Sequence, residues 1–174
     1  MCWPKQPTIC FVRRLATREI DMAERSFEIR EMLHAEYCTW SAMRMELYSE
    51  LEPAVAEIEA QRFLSGEDPD LKVVFLAIVD GDPVGFAELG ERSLVDGCFD
   101  GPVAYLEGWF VYEQYHRSGI GRALIEQSKR WARENEYPHL ASDAELSNTL
   151  SQTAHKACGF EEVDRIVQYR MKLH

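Results

Sequence analysis

Tyr105-Leu106-Glu107-Gly108-Trp109-Phe110-Val111 leads, after a short connection, into His116-Arg117-Ser118-Gly119-Ile120-Gly121-Arg122-Ala123-Leu124. The first segment reads as an apolar strand carrying one acidic residue. The second reads as a basic, glycine-bearing loop that opens onto a helix. Arg117, Ser118, Gly119 and Gly121 suit a turn whose backbone N–H groups converge on one anion. Glycine lets the backbone come close, and the helix N-terminus adds a positive dipole end. Arg117 and Arg122 add countercharge. Gly108 is a second signal, because a glycine inside a strong strand weakens it unless a bulge or close backbone approach requires it. A bulge would free an N–H beside the phosphate loop, and an extended ligand could then lie along the splayed strand. Plainer readings compete: a turn before a helix, and a solvent-facing Glu107.

Working outward, Phe11–Leu15 reads as a first strand, with Thr17 capping a helix from Ile20 to about Tyr37. A second helical stretch runs from about Ala42 to Leu64, interrupted at Pro53, and residues 65–70 form a loop. Val73–Val79 is a buried strand, Asp80-Gly81-Asp82-Pro83 a hairpin turn, and Val84 to about Arg92 the returning strand. After the loop 93–101 comes the strand Val103–Val111, then a helix from Gly119 to about Asn135. A short strand at His139–Asp143 precedes a helix from Ser147, its N-cap, to about Lys156. Gly159 stands past that helix end. The tail Phe160–Leu173 reads as one or two strands. The order β–α–α–β–β–β–α–β–α–β predicts one α/β domain over residues 1–174, with 1–10 as an N-terminal extension.

The 174 residues carry 30 acidic and 19 basic side chains, a net charge of −11. Such a chain repels nucleic acid and anionic membranes and attracts cations. No apolar run reaches the roughly 20 residues of a membrane span, and the N-terminus lacks a signal-peptide pattern. The expectation is a cytoplasmic protein without nucleic-acid or membrane partners. Cys2, Cys10, Cys38, Cys98 and Cys158 are odd in number and scattered. No pair has metal-ligand spacing, which points to free, mostly buried thiols and to no metal.

The element order and His116-Arg117-Ser118-Gly119-Ile120-Gly121 resemble the GNAT superfamily of N-acetyltransferases. Members hold the pyrophosphate of acetyl-coenzyme A in a Gln/Arg-x-x-Gly-x-Gly/Ala loop, and here His116 stands at the Gln/Arg position. Three further runs resemble the aminoglycoside 6′-N-acetyltransferases: Leu106–Val111, Ala141–Asn148 and His155–Glu162. Val95-Asp96-Gly97-Cys98 is similar to their loop before the central strand, and an aromatic usual near Leu94 is missing. The likeness is good from about Asp80 onward and poor before it. It implies a single-domain acetyltransferase fold, a mixed and mostly antiparallel sheet flanked by helices with a splayed, bulged central strand. It also implies a homodimer.

Residue by residue, the resemblance places Trp109, Phe110 and Val111 along the acetyl and pantetheine portions through their backbone. Arg117, Ser118, Gly119, Ile120, Gly121 and Arg122 then wrap the pyrophosphate, and Asn148 also contacts the cofactor. Glu107, Asp143 and Asp164 face a cationic aminoglycoside, with Trp40 as the aromatic contact. The chemistry fits those positions. An ammonium must lose a proton before it attacks a thioester, and Glu107 or Asp143 can pass that proton to solvent. The Val111 N–H is the candidate oxyanion donor. His155 stands four residues before Gly159-Phe160, where many members place a tyrosine that protonates the leaving thiolate. No cysteine lies where it could carry the acyl group, so transfer is expected to be direct. Three alternatives stay open: another small amine, polyamine or protein N-terminus as acceptor; a non-catalytic coenzyme A-binding module; and plain structural roles for Asp143 as a helix cap, His155 as a packed histidine and Asp164 as a solvated charge.

Overall fold

A computed structural model describes residues 26–173. Five strands form one sheet in the order β1-β2-β3-β4-β5. They are β1 (Phe27–Glu31), β2 (Leu71–Val79), β3 (Asp82–Arg92), β4 (Val103–Val111) and β5 (Leu140–Ser142). The first four pair antiparallel, and β5 joins β4 in parallel. The helices are α1 (Tyr37–Leu47), α2 (Pro53–Ser65), α3 (Ile120–Glu134) and α4 (Thr149–Ala157). This is the mixed α/β sheet expected of an acetyltransferase fold.

The continuous apolar run of β2 reflects burial on both faces. Val73, Phe75, Ala77 and Val79 pack with Ile120, Leu124 and Ile125 of α3. Val74, Leu76 and Ile78 point the other way and pack with Trp40 and Met43 of α1 and Ala60 of α2. Successive side chains of a strand alternate faces, so one sheet carries two cores. Asp80 (φ 52) and Gly81 (φ 89) turn β2 into β3. Positive φ at both central residues is what a two-residue hairpin matched to strand twist requires. Pro53 opens α2 at a position where its missing N–H is harmless, and Gly66 (φ 73) closes it.

Four expectations need correcting. β1 lies inside the stretch read as a helix from Ile20 to Tyr37. Phe27-Glu28-Ile29-Arg30-Glu31 pairs with Phe75–Val79 and Ile29 packs on the core, so ladder pairing overrides the helical preference of Glu and Arg. The tail contains no strand among the described residues. Its apolar residues Val163, Ile166, Val167, Tyr169, Met171 and Leu173 are exposed, because no strand among the described residues pairs with them. Asn148, not Ser147, caps α4, its Oδ1 accepting the Ser151 N–H at 3.0 Å. Cys98 and Cys158 are free thiols, whereas Cys38 is disulfide-bonded. The strand at Phe11–Leu15, Thr17 and the extension 1–10 lie outside the described residues. Among the described residues no helix is long and apolar enough to cross a membrane.

Candidate active site

β4 outruns its neighbour. Its pairing with β5 covers Ala104↔Leu140, Tyr105↔Ala141 and Leu106↔Ser142 and stops there, while β4 continues to Val111. The strands therefore part at Glu107, leaving an open edge. On the other side the β3 register skips from Glu88↔Gly108 to Leu89↔Leu106, so Glu107 is the extra residue of a bulge. Its carbonyl accepts the Tyr48 hydroxyl at 2.7 Å, which satisfies a backbone group the bulge takes out of the ladder. Gly108 is obligatory for space: a Cβ there would lie 2.6 Å from Glu88 Oε1 and 2.8 Å from the Tyr48 oxygen.

Beyond the bulge, the Tyr112 N–H bonds Val84 at 3.0 Å. Hydrogen-bonding direction alternates along an antiparallel pair, so the Val111 N–H faces away from β3, into the opening. His116 Nε2–H donates to the Val111 carbonyl at 2.9 Å, pinning the loop to the strand end. Ser118 Oγ–H donates to Tyr115 at 2.6 Å. Arg117 (φ 62) and Gly119 (φ 87) adopt left-handed backbone, bringing the chain into the N-terminus of α3. The first N–H groups of that helix lack intrahelical acceptors and can meet an anion. Gly121 lies under Trp109, 3.1 Å from a ring carbon at its would-be Cβ, and the buried Trp109 Nε1 has no partner among the described residues. The loop, the open edge and this orphaned donor fit an extended pyrophosphate-bearing cofactor. Arg122 instead turns to the Ala157 carbonyl at 2.8 Å, closing the end of α4.

The opposite face of β3 and β4 forms a cleft of about 290 Å³ under α1 and α2. Its floor holds Glu88, fully buried with its pKa pushed up by that burial. Trp40 Nε1–H donates to Glu88 Oε2 at 3.0 Å, and Arg44 reaches the same oxygen at 3.1 Å and Glu59 at 2.9 Å. Burial also raises the Tyr48 pKa, with the Glu88 charge adding to it. Tyr48, Asp68, Asp70 and Glu107 line the cleft above. Trp40 itself is 0% exposed, so it shapes the floor rather than the surface.

Glu107 and Asp143 are linked through Arg92 and Tyr105. Arg92 grips Glu107, and the Tyr105 hydroxyl donates to Asp143 Oδ1 at 2.8 Å. Asp164 is not brought to them; it lies on the tail, where its Oδ1 accepts the Arg165 N–H at 2.6 Å. His155 sits edge-on to Trp109 and Phe160. Its Nδ1 donates to the Ser151 carbonyl at 2.8 Å, leaving Nε2 against Ser142 Oγ at 3.1 Å. Ser142 also faces the Leu106 carbonyl, where the strands part. Sequence reasoning missed Glu88, Tyr48, Arg92 and Tyr105. An acid in the middle of the apolar strand Val84–Leu89 was a signal for Glu88; nothing local marked the others. Among the described residues no group of His, Cys, Asp and Glu could hold a metal.

The Acetyltransferase (GNAT) family matches residues 29–160. An aminoglycoside N(6′)-acetyltransferase type 1 from Stenotrophomonas maltophilia is 38% identical over 147 residues, 83% of this chain and 93% of that protein. One from Klebsiella aerogenes is 36% identical over 146 residues, 83% and 96% of the two chains. Among solved structures, the aminoglycoside N-acetyltransferase AAC(6')-Iy in complex with CoA superposes with a TM-score of 0.78 at 32% identity, covering 85% of this chain and 96% of that one. The same enzyme with a bisubstrate analogue, CoA-S-monomethyl-acetylneamine, gives 0.77 at 32% identity, covering 84% and 99%.

Proposed function

The chain belongs to the acetyltransferase (GNAT) family, and on that premise we propose that it transfers acetyl from acetyl-coenzyme A to the 6′-amine of aminoglycosides, giving antibiotic resistance. The observation that carries the acceptor is the acidic cleft at the bulge. Glu107 and Asp70 line it, and Asp143 is tied to it by Tyr105, on whose ring the Arg92 bound to Glu107 rests, beside an open strand edge that leads to the phosphate loop. A polycationic sugar complements that field.

Backbone groups of Arg117 to Arg122 hold the pyrophosphate, Trp109 to Val111 align the pantetheine arm, and Asn148 adds a contact from the start of α4. The bound cofactor supplies the thioester carbon. Glu107 and Asp143 hold the incoming ammonium, and Asp143 passes its proton to solvent, freeing the lone pair that forms the new N–C bond. The Val111 N–H receives the developing oxyanion. As the C–S bond breaks, His155 supplies the thiolate proton from Nε2, which carries one only when both ring nitrogens are protonated, since Nδ1–H is held by the Ser151 carbonyl. Trp40 acts by fixing the floor under Tyr48 through its bond to Glu88.

The chain works as one domain in the cytoplasm and as a homodimer. Supporting the dimer, Val167, Tyr169, Met171 and Leu173 are exposed and alternate with the polar Gln168, Arg170 and Lys172, the pattern of a strand that finds its neighbour in another chain. The test is thiol release from acetyl-coenzyme A against a panel of aminoglycosides and polyamines, with the acetylated position mapped by NMR. Turnover of 6′-amino compounds and modification at that nitrogen is the expected result. Preference for linear polyamines would move the acceptor class and leave the chemistry.

A further inference from the structure

A cation of this chain already occupies the Glu107 carboxylate. Arg92, the last residue of β3, donates Nε–H to Oε1 at 3.1 Å and Nη2–H to Oε2 at 2.6 Å. The guanidinium carbon lies 3.4 Å from the centre of the Tyr105 ring, and Tyr105 in turn donates to Asp143. The guanidinium therefore holds the Glu107 carboxylate and covers the face of the ring whose hydroxyl holds Asp143. Gly90 makes the arrangement possible, because a Cβ there would stand 3.0 Å from Glu107 Oε1.

This cation is poised to leave. Its side chain is 43% exposed, and the chain beyond it is loop, so it can swing outward without breaking the ladder. Partly exposed ion pairs are weak, which puts displacement within reach of a ligand. We propose that Arg92 is a built-in competitor for the acceptor: its guanidinium stands in for the substrate's ammonium at Glu107 and must be displaced, so a lone ammonium gains little there and binding relies on further ammonium groups. The proposal rests on the acceptor reading above. A monoamine at Glu107 merely exchanges one cation for another. A polycation makes the same exchange and also sets a second ammonium against Asp70, which lines the same cleft beside Arg92 and Glu107.

The rival role is that Arg92 orients Glu107, and binding separates the two. Coenzyme A-saturated protein is titrated with neamine, a polycation, and with methyl 6-amino-6-deoxyglucoside, a monoamine, by calorimetry and NMR shift perturbation. Arg92→Gln should tighten the monoamine about tenfold, the scale of one exposed ion pair plus one cation–π contact. Neamine makes the same exchange and should tighten by a similar factor. Arg92→Lys, which keeps the charge but loses the fork and the ring stack, should fall between. Weaker or unchanged binding of both amines to Arg92→Gln would overturn the proposal. Wild-type protein that binds neamine without acetylating it would break the functional reading while leaving the Arg92 comparison intact. Binding of neither amine by any variant sinks both.

Discussion

On the cofactor side of the cleft the groups that matter are backbone, and they are close in sequence. Val111 is tied to His116, Ser118 to Tyr115, and the helix starts at Ile120. On the acceptor side they are side chains from distant segments. Trp40 reaches Glu88 across 48 residues, Tyr48 reaches Glu107 across 59, and Tyr105 reaches Asp143 across 38. The first half is a shape that a dozen consecutive residues can write. The second is an electrostatic network that exists only after the sheet and helices close around it. Substitutions should therefore separate cleanly, the first half failing in cofactor affinity and the second in acceptor chemistry or charge.

Asp143→Asn should have the largest effect. It keeps the hydrogen bond from Tyr105 but removes the charge and the proton acceptor. Turnover per unit substrate should fall about 10³-fold, within the usual range for a general base. Acetyl-coenzyme A affinity should stay within about twofold by calorimetry. A matching loss of cofactor binding would break the division between the halves.

Gly119→Asp is the mirror experiment. A Cβ at Gly119 meets nothing within 4 Å, so no clash contributes. Two costs remain: a left-handed backbone, about 1–2 kcal/mol for an ordinary residue, and a negative charge aimed at a diphosphate. Together they should weaken acetyl-coenzyme A binding by about 10²-fold. Gly119→Ala carries only the backbone cost, so the difference between the two variants isolates the charge. Equal affinities for Ala and Asp would mean that the loop does not hold the pyrophosphate.

The same division explains what could be read before folding. β2, β3, β4, α3 and the phosphate loop follow from apolar runs, a hairpin turn and glycine placement, all local. The bulge at Gly108 was legible as a break in a strong strand. Its partner was not, because nothing in the sequence announces that Tyr48 will meet the Glu107 carbonyl. β1 was lost because Phe27–Glu31 has helix-forming residues and becomes a strand only when β2 offers an edge. The tail fails in the opposite sense: its alternation from Val167 to Leu173 is real, but a strand needs a neighbour and none lies among the described residues. Arg92 entered only as the end of the strand from Val84, and its pairing with Glu107 depends on the β3–β4 register.

His155 stands between the halves, on α4 but against Trp109 of β4. His155→Ala should lower kcat by about tenfold, less than the ~10²–10⁴ of a typical general acid. Its Nδ1 is committed to Ser151 and water can reach the thiolate in its place. The loss should shrink with an acyl donor whose leaving thiol is more acidic. A rate within about twofold of wild type, indifferent to the leaving group, would make His155 packing for Trp109 and Phe160.

Glu88→Gln should give the smallest effect, visible in stability more than in rate. Tyr48 has one hydroxyl proton, and its contact with the Glu107 carbonyl is the shorter at 2.7 Å against 3.2 Å to Glu88. The longer contact is completed best when Glu88 carries a proton, the form that burial favours. A carboxyl with a raised folded-state pKa contributes stability that is full below its unfolded value, about 4.3, and is lost as pH rises through the folded value. Gln is neutral throughout and keeps an amide to bond Tyr48 and Trp40. Urea unfolding at a series of pH values from 4 to 8 should therefore show wild type losing ground to Glu88→Gln as pH rises. The change is at most about 1.4 kcal/mol per pH unit for one proton. Gly119→Ala should track wild type across the same series, since no buried charge lies in the phosphate loop. If wild type instead gains on Glu88→Gln with rising pH, Arg44 holds Glu88 ionised. The acceptor floor is then a buried ion pair, and its charge belongs to the same field that draws the amine toward Glu107.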